Sequence, residues 1–380
     1  MRIGIEASNM VAEFLTGVEY SLIPLVRHLP RIDNRNEYRL YLNFVRPEYA
    51  ARFEARVRPL LSDRVEARIC RIPNRLMRFL REWARWPIEQ TLGHCAVVYY
   101  PDVDMHTQLR GARVATIHDL MPFTHADQYS ELYVAQFRRS VSRIARDADA
   151  IIAVSEHTKD TIVERLGVAP DRIAVVYHGI DETFHPVPTE AVAHLRARFG
   201  FARPYILFVG TAEPRKNLLR LVDAFALMCH GGRNDLDLVI AGKSAWGSAR
   251  LRARIAAQGL ESQVRLPGYI AGTDLPALYS GASVFVLPSL AEGFGMPLLE
   301  AMACGIPVIA SNTTALPEVY GDAAFGFDPT STEALVAALE RVLNDEVLRA
   351  DLVARGFKRA ARFGWEETAR KTLGVLDAVA

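Results

Sequence analysis

The strongest constraint on the fold of this chain is a pattern that runs twice. Short apolar segments alternate with helical stretches, stop at a proline-bearing segment, and start again. RIGIEA, EYRLYLNF, VEARIC, AVVYYP, RVATIHD, DAIIAVS and IAVVYHG read as strands, with helices such as GVEYSLIPLVRHLP and ELYVAQFRRSVSRIARDA between them. DETFHPVPTEAV, with prolines at 186 and 188, reads as a linker. YILFVGT, LDLVIAG, VRLPGY, ASVFVLPS and IPVIAS then resume the strand pattern. Strands separated by helices predict parallel α/β sheets. Two such series joined near residue 185 predict two Rossmann-like domains facing a cleft.

Size and charge agree with that division. A chain of 380 residues suits two domains of about 150–200 residues each. The net charge of +1 gives no global basic field for nucleic acid. No apolar run approaches the roughly 18–20 residues that span a bilayer. MRIGIEASNM reads as a buried strand rather than a signal peptide, and Cys70, Cys95, Cys229 and Cys304 have no paired spacing. Both features predict a cytoplasmic protein with reduced thiols.

In open parallel sheets, ligands sit beyond the carboxyl ends of the strands. The residues placed there are Thr16–Gly17, His118–Asp119, Ser155, His178–Gly179, Thr211 to Asn217, Gly242–Lys243, Gly268–Tyr269 and Ser289 to Gly295. In AEGFGMPLLEAMACGIPV, Pro297 suits a first helical turn and Gly293 and Gly295 permit close backbone approach. Such a helix start favours phosphate. Glu292 and Glu300 flank it, and carboxylates repel phosphate, so they are expected to accept hydrogen bonds from hydroxyls on either side. A ligand with phosphates in the middle and hydroxyls at both ends is a nucleotide-sugar. The plainer reading of Glu300 is a carboxylate complementing the helix dipole, worth about 0.3–1 kcal/mol. Arg215 and Lys216, after Gly210, supply fixed cations for a departing diphosphate; the plainer reading is a solvated basic turn.

These residues together resemble glycosyltransferase family 4, retaining enzymes of the GT-B architecture. The resemblance rests on EGFGMPLLE (Glu292 to Glu300) with AMACGIPVIAS, and on TGVEYSL, HDLMPF, VSEHTKD, VVYHGIDETFHP, VGTAEPRKNLLRLVDAF, VRLPGYI, LYSGASVFVLPS and FGWEETARKTL. It covers essentially the whole chain. It implies an acceptor-side domain at 1–185, a nucleotide-sugar domain at 186–364, and a helix at 365–380 returning to the first domain. Carried over residue by residue, it puts the Gly17 amide on the diphosphate and His118 beside the donor sugar. Arg215 and Lys216 neutralise the phosphates near Gly210 and Thr211. Glu292 and the amides of Phe294, Gly295, Met296, Pro297 and Leu298, after Gly293, hold sugar and phosphate. Glu300 holds the ribose, and Tyr269 meets the base. Glu292→Ala is then expected to remove transfer and leave the fold intact.

The family chemistry retains configuration and is usually metal-independent, with no cofactor. The PRKN form of the cation motif and HDLMPF look most like bacterial mannosyltransferases of surface polysaccharide assembly. The expected donor is therefore GDP-mannose, and the expected acceptor a lipid-linked saccharide in O-antigen or lipopolysaccharide synthesis. A nucleotide-sugar epimerase of the same architecture, or a non-catalytic nucleotide-sugar-binding partner, are the alternatives. Two departures stand out: Thr211 occupies a position where many relatives have Arg, and Thr16–Gly17 replaces a double glycine. The Asp-x-Asp pairs at 102–104 and 235–237 are too short a pattern to indicate a metal.

Residues 71–90, RIPNRLMRFLREWARWPIEQ, place Arg71, Arg75, Arg78, Arg81 and Arg85 on one helical arc. Leu76, Phe79, Leu80, Trp83 and Trp86 lie on the other side. This is the pattern of a helix on an anionic membrane face, and equally that of a helix packed on its own domain with arginines in solvent.

Overall fold

The computed structural model describes the whole chain except residues 14–16, 83–85 and 244–247. It divides into two compact units, Met1–Gly179 with Gly364–Ala380, and Ile180–Phe363.

The first unit is built on seven parallel strands: β1 (Arg2–Glu6), β2 (Glu37–Asn43), β3 (Val65–Cys70), β4 (Val97–Tyr100), β5 (Ala112–Ile117), β6 (Ala150–Ala153) and β7 (Ile173–Val175). Their order is β3-β2-β1-β4-β5-β6-β7. β4 and β6 are buried throughout, as expected of central strands covered on both faces by helices. The order reverses between β1 and β4, which makes that pair the switch point where a crevice opens at the strand ends.

The chain's last helix, Trp365–Val379, belongs to this unit. Trp365, Ala369 and Leu376 join the core cluster that includes Ile3, Ile5, Leu25 and Val97. The Thr368 hydroxyl donates to the Tyr177 carbonyl at 2.8 Å. Gly179 makes this docking possible: a Cβ there would lie 2.5 Å from the Trp365 nitrogen.

The second unit has six parallel strands: β8 (Tyr205–Val209), β9 (Asp237–Ala241), β10 (Val264–Gly268), β11 (Val284–Leu287), β12 (Val308–Ser311) and β13 (Phe325–Phe327). The order β10-β9-β8-β11-β12-β13 places its switch point between β8 and β11. β13 has no counterpart among the expected strands. Its three residues, Phe-Gly-Phe, are too short for a periodicity and pair only along β12.

The unit boundaries differ by a few residues from the expected ones. The proline-bearing segment, read as a linker ending the first domain, begins the second unit at Ile180. There the Val187 N–H donates to Ser280 Oγ at 3.4 Å and the Ile180 N–H to the Phe363 carbonyl at 2.8 Å. Its prolines remove donors but leave these backbone anchors in place.

Candidate functional site

The switch point of the second unit carries a buried ionic knot. β8 ends at Val209 and leads through Gly210 to the turn Pro214–Lys216. β11 ends at Leu287 and is followed by Ser289 to Gly295. Across this gap Lys216 Nζ donates to Glu292 Oε1 at 2.5 Å, and Arg215 Nη1 to Glu292 Oε2 at 2.8 Å. Ser289 Oγ donates to Glu292 Oε1 at 2.6 Å, and the Glu292 N–H donates to Thr314 Oγ1 at 3.0 Å. Arg215 Nε also reaches Glu213 at 3.0 Å. Lys216 is 7% exposed and Glu292 6%.

Burial alone would push the Glu292 carboxyl up, but Lys216 and Arg215 beside it hold it at about 2. Burial, then the Arg215 charge, push the Lys216 ammonium down against the pull of Glu292. The depressed carboxylate contributes stability that is present above its ordinary value and is lost as pH falls toward about 2.

Local backbone geometry holds this knot. Asn217, in the left-handed region at φ 58°, donates through Nδ2 to the carbonyls of Pro288 at 3.1 Å and Pro329 at 2.9 Å. The Leu290 N–H donates to the Arg215 carbonyl at 2.8 Å. Beneath lie Gly210 and Gly242, where a Cβ on Gly242 would meet the Gly210 carbonyl oxygen at 2.0 Å. Thr211 follows directly, its carbonyl accepting from the Glu213 N–H at 2.8 Å.

Gly295 begins the helix Met296–Ala303 at φ 96°, a conformation that favours glycine. Pro297 brings no N–H, and the Leu298 N–H is taken by the Gly295 carbonyl at 3.0 Å. The amide set that can face an anion is therefore shorter than the expected run 294–298. Phe294, 4% exposed, packs edge-on against Phe363 rather than outward.

Glu300 stands apart from the knot. It lies on the same helix and accepts from the Tyr279 hydroxyl at 2.7 Å. Burial pushes its carboxyl up to about 7; the Tyr279 bond opposes this and Asp181 adds to it. Tyr269 is half-exposed beyond β10, two strands away from β8 at the sheet edge. Tyr279 and Ser289 lay in motifs noted in the sequence but received no role there, and Thr314 lay beyond those motifs. What assigns them one is contact, of Tyr279 and Ser289 with the two carboxylates and of Thr314 with the Glu292 backbone N–H, which spacing does not encode.

Glu292 is thus the shared counter-ion of two cations as well as a candidate hydroxyl acceptor. Glu292→Ala would leave Lys216 buried with its main partner gone, at a cost of about 3–5 kcal/mol. The expectation that such a variant keeps its fold intact is corrected on that ground.

The first unit brings His118, just beyond β5, against the end of β4. His118 Nε2 lies 2.8 Å from the Pro101 carbonyl, at the end of β4, and its Nδ1 lies 3.3 Å from His178 Nε2. The two rings stack at 5.3 Å. His178 is buried, and burial followed by its neighbour His118 pushes it well below the ordinary imidazole value. Thr158 Oγ1 donates to the His118 carbonyl at 3.3 Å, and Ser155 Oγ to Thr158 Oγ1 at 2.9 Å. Gly17 opens the helix Gly17–Ile32, and nothing stands within 4 Å of where a Cβ would be. Thr16 lies outside the described residues.

The Asp-x-Asp pairs have structural partners. Asp102 accepts from the Val103 N–H at 2.7 Å and from Asn9 at 3.5 Å. Asp237, fully buried at the start of β9, pairs with Arg203 and Arg265. Among the described residues, no three His, Cys, Asp or Glu side chains group as a metal site.

Residues 15–184 match the family model described as Glycosyltransferase Family 4, and residues 195–359 the one described as Glycosyl transferases group 1. The chain belongs to glycosyltransferase family 4. It is 34% identical over 261 residues to the O-antigen chain mannosyltransferase B of Escherichia coli, covering 68% of each protein. It is 32% identical over 269 residues to the serotype-specific mannosyltransferase WbdA of Escherichia coli, but spans only 32% of that longer protein. The fold matches that of Anabaena HepE, crystallised with UDP and glucose, at a TM-score of 0.75 over 100% of both chains and 20% identity. The architecture is therefore GT-B, and the glutamates of this family's Glu-x7-Glu are Glu292, inside the ionic knot, and Glu300, on Tyr279.

The raised carboxyl of Glu300 makes a pH prediction. Between about pH 4.5 and 7 the unfolded chain releases this proton while the folded one keeps it, so its contribution to stability falls as pH rises through that window. Glu300→Gln is expected to gain on the wild type by on the order of 2–3 kcal/mol between pH 4.5 and 8. Urea unfolding of both proteins at the two pH values measures it; an unchanged difference contradicts the burial assigned to this acid.

Proposed function

We propose that this glycosyltransferase moves a hexose, mannose from GDP-mannose, onto a saccharide acceptor in O-antigen or lipopolysaccharide assembly. The observation that carries the donor side is the convergence of Arg215 and Lys216 on Glu292 at the β8–β11 switch point. Glu292 compensates both cations. A nucleoside diphosphate entering there brings the charge the cations match, and Glu292 can then accept from hydroxyls of the transferable sugar. Glu300 takes the ribose hydroxyls.

In this reading configuration is retained. The bond from the anomeric carbon to the phosphate oxygen breaks, and a bond to the acceptor oxygen forms on the same face. The acceptor's proton passes to the leaving phosphate oxygen. Arg215 and Lys216 stabilise the diphosphate as its charge develops, the electrostatic contribution that dominates such steps. Two fixed cations can do this without a metal or cofactor. Mannose is favoured by the two mannosyltransferases to which the chain is similar.

The acceptor side is proposed to meet an anionic membrane surface through residues 71–90, on the inner face of the cytoplasmic membrane. No helix among the described residues is long and apolar enough to cross a bilayer. The helix Asn74–Glu82 is anchored inward by Met77, 3% exposed, and Trp86, grouped by spacing with the apolar side opposite the arginines, packs on the same core. Leu76 and Phe79 remain 48% and 56% exposed, beside the exposed Arg75. The side chains of Arg78 and Arg81, and all of Trp83 and Arg85, lie outside what the structure describes.

Two assays test these readings. GDP-mannose is expected to raise the melting temperature more than UDP-glucose, and transfer to a mannose-containing acceptor is expected to survive EDTA with less than a twofold loss. A larger shift with UDP-sugars rejects the donor, and loss of transfer on chelation rejects metal independence. Flotation with phosphatidylglycerol vesicles is expected at low salt, weaker at high salt, and reduced by Leu76→Ser with Phe79→Ser; no flotation at any salt rejects the membrane surface.

A further inference from the structure

An aromatic ladder stands at the strand ends of the first unit, outside the residues assigned above. β5 leads through His118 and Asp119 into the short helix Met121–Thr124, which is fixed by Asp119 Oδ1 accepting from the Met121 N–H at 3.0 Å. The next helix, Glu131–Asp147, begins at this end and returns toward the start of β6. Ser130 caps it, its Oγ accepting from the Tyr133 N–H at 3.3 Å, which fixes the first turn.

Four rings line up here. Tyr129 stacks on Tyr133 at 5.4 Å, Tyr133 meets Phe137 at 6.2 Å, and Phe137 meets Phe123 edge-on at 6.3 Å. Arg138 lies over the Phe123 ring at 5.2 Å. The inner end of the ladder is part-buried, but Tyr133 is 47% exposed and the adjacent Leu132 69%. Core packing does not require that exposure, since Val134, Val141 and Ile144 bury this helix.

We infer that Tyr129 and Tyr133 form a stacking platform for a pyranose ring of the acceptor saccharide. This deepens the proposed glycosyl transfer and rests on it for the identity of the ligand. The chemistry favours a sugar. A pyranose presents a face of C–H groups carrying slight positive charge, which suits the negative face of an aromatic ring. The neighbouring Asp127, Gln128 and Glu131 carry polar side chains of the kind sugar hydroxyls use. Those acids disfavour an anionic membrane, in contrast to the arginines of residues 71–90. The position is also right for a ligand: both tyrosines sit at the carboxyl ends of the strands, the same end as His118.

The test uses full-length protein with Tyr133→Ala, Tyr129→Ala and Tyr133→Phe. Binding of an α-linked mannotriose, with maltotriose alongside, is read by saturation-transfer NMR without donor, and acceptor and donor KM are read in the transfer assay. Wild type and Tyr133→Phe are expected to bind one of the trisaccharides. The alanine variants are expected to lose that signal and to raise acceptor KM about tenfold, while donor KM stays within about twofold. Alanine variants that melt like wild type and keep both trisaccharide binding and acceptor KM overturn the platform. So does wild-type protein that binds neither trisaccharide. A wild type that binds a trisaccharide through these rings yet transfers no sugar defeats the transferase reading and leaves the platform standing; normal transfer by unaffected alanine variants does the reverse.

Discussion

A lysine buried to 7% exposure can remain charged only if something pays back its lost hydration, and in this protein that is Glu292 at 2.5 Å. The arrangement of the second unit's strand ends follows from this need. Glu292 must be carried to Lys216 from a loop 76 residues away in sequence, so the turns after β8 and β11 are tied together at their shared switch point. Arg215 and Ser289 then complete the carboxylate's hydrogen bonds, and Thr314 Oγ1 accepts from the Glu292 backbone N–H. A buried pair of this kind adds little net stability compared with apolar packing, yet losing one partner is expensive. Its presence at the β8–β11 switch point, the place where open parallel sheets take ligands, is what the proposed donor site accounts for.

The two family glutamates occupy opposite electrostatic environments. Glu292 sits among cations and is held at about 2, while Glu300 sits beside a phenol and near Asp181 and is pushed up to about 7. Seven intervening residues are enough to separate them because the turn ends at Gly295 and the helix carries Glu300 away. In the first unit the stacked pair of His118 and His178 ties the ends of β4 and β5 to the segment after β7.

Much of this was legible in the sequence. Twelve of the strands announce themselves as apolar runs between helices, and the strand-end rule led directly to Arg215, Lys216 and Glu292. What spacing could not supply was pairing. The cations were expected to wait for phosphate, and nothing local shows that a carboxylate from the β11 loop already meets them. Trp86 was grouped by helical angle with Leu76 and Phe79, but it lies outside the helix Asn74–Glu82 and packs on the core. β13 was missed because three residues carry no period, and the linker boundary because proline spacing does not reveal the tertiary anchors at Ile180 and Val187.

The central claim is that the Arg215–Lys216–Glu292 knot receives the diphosphate of the donor. Calorimetric titration tests it most directly, using whichever of GDP and UDP binds more tightly alongside its parent nucleoside, on wild type and on Lys216→Gln. The account predicts that the substitution weakens the nucleoside diphosphate at least tenfold and the nucleoside by less than twofold. Equal losses for both ligands, or none for either, would contradict it.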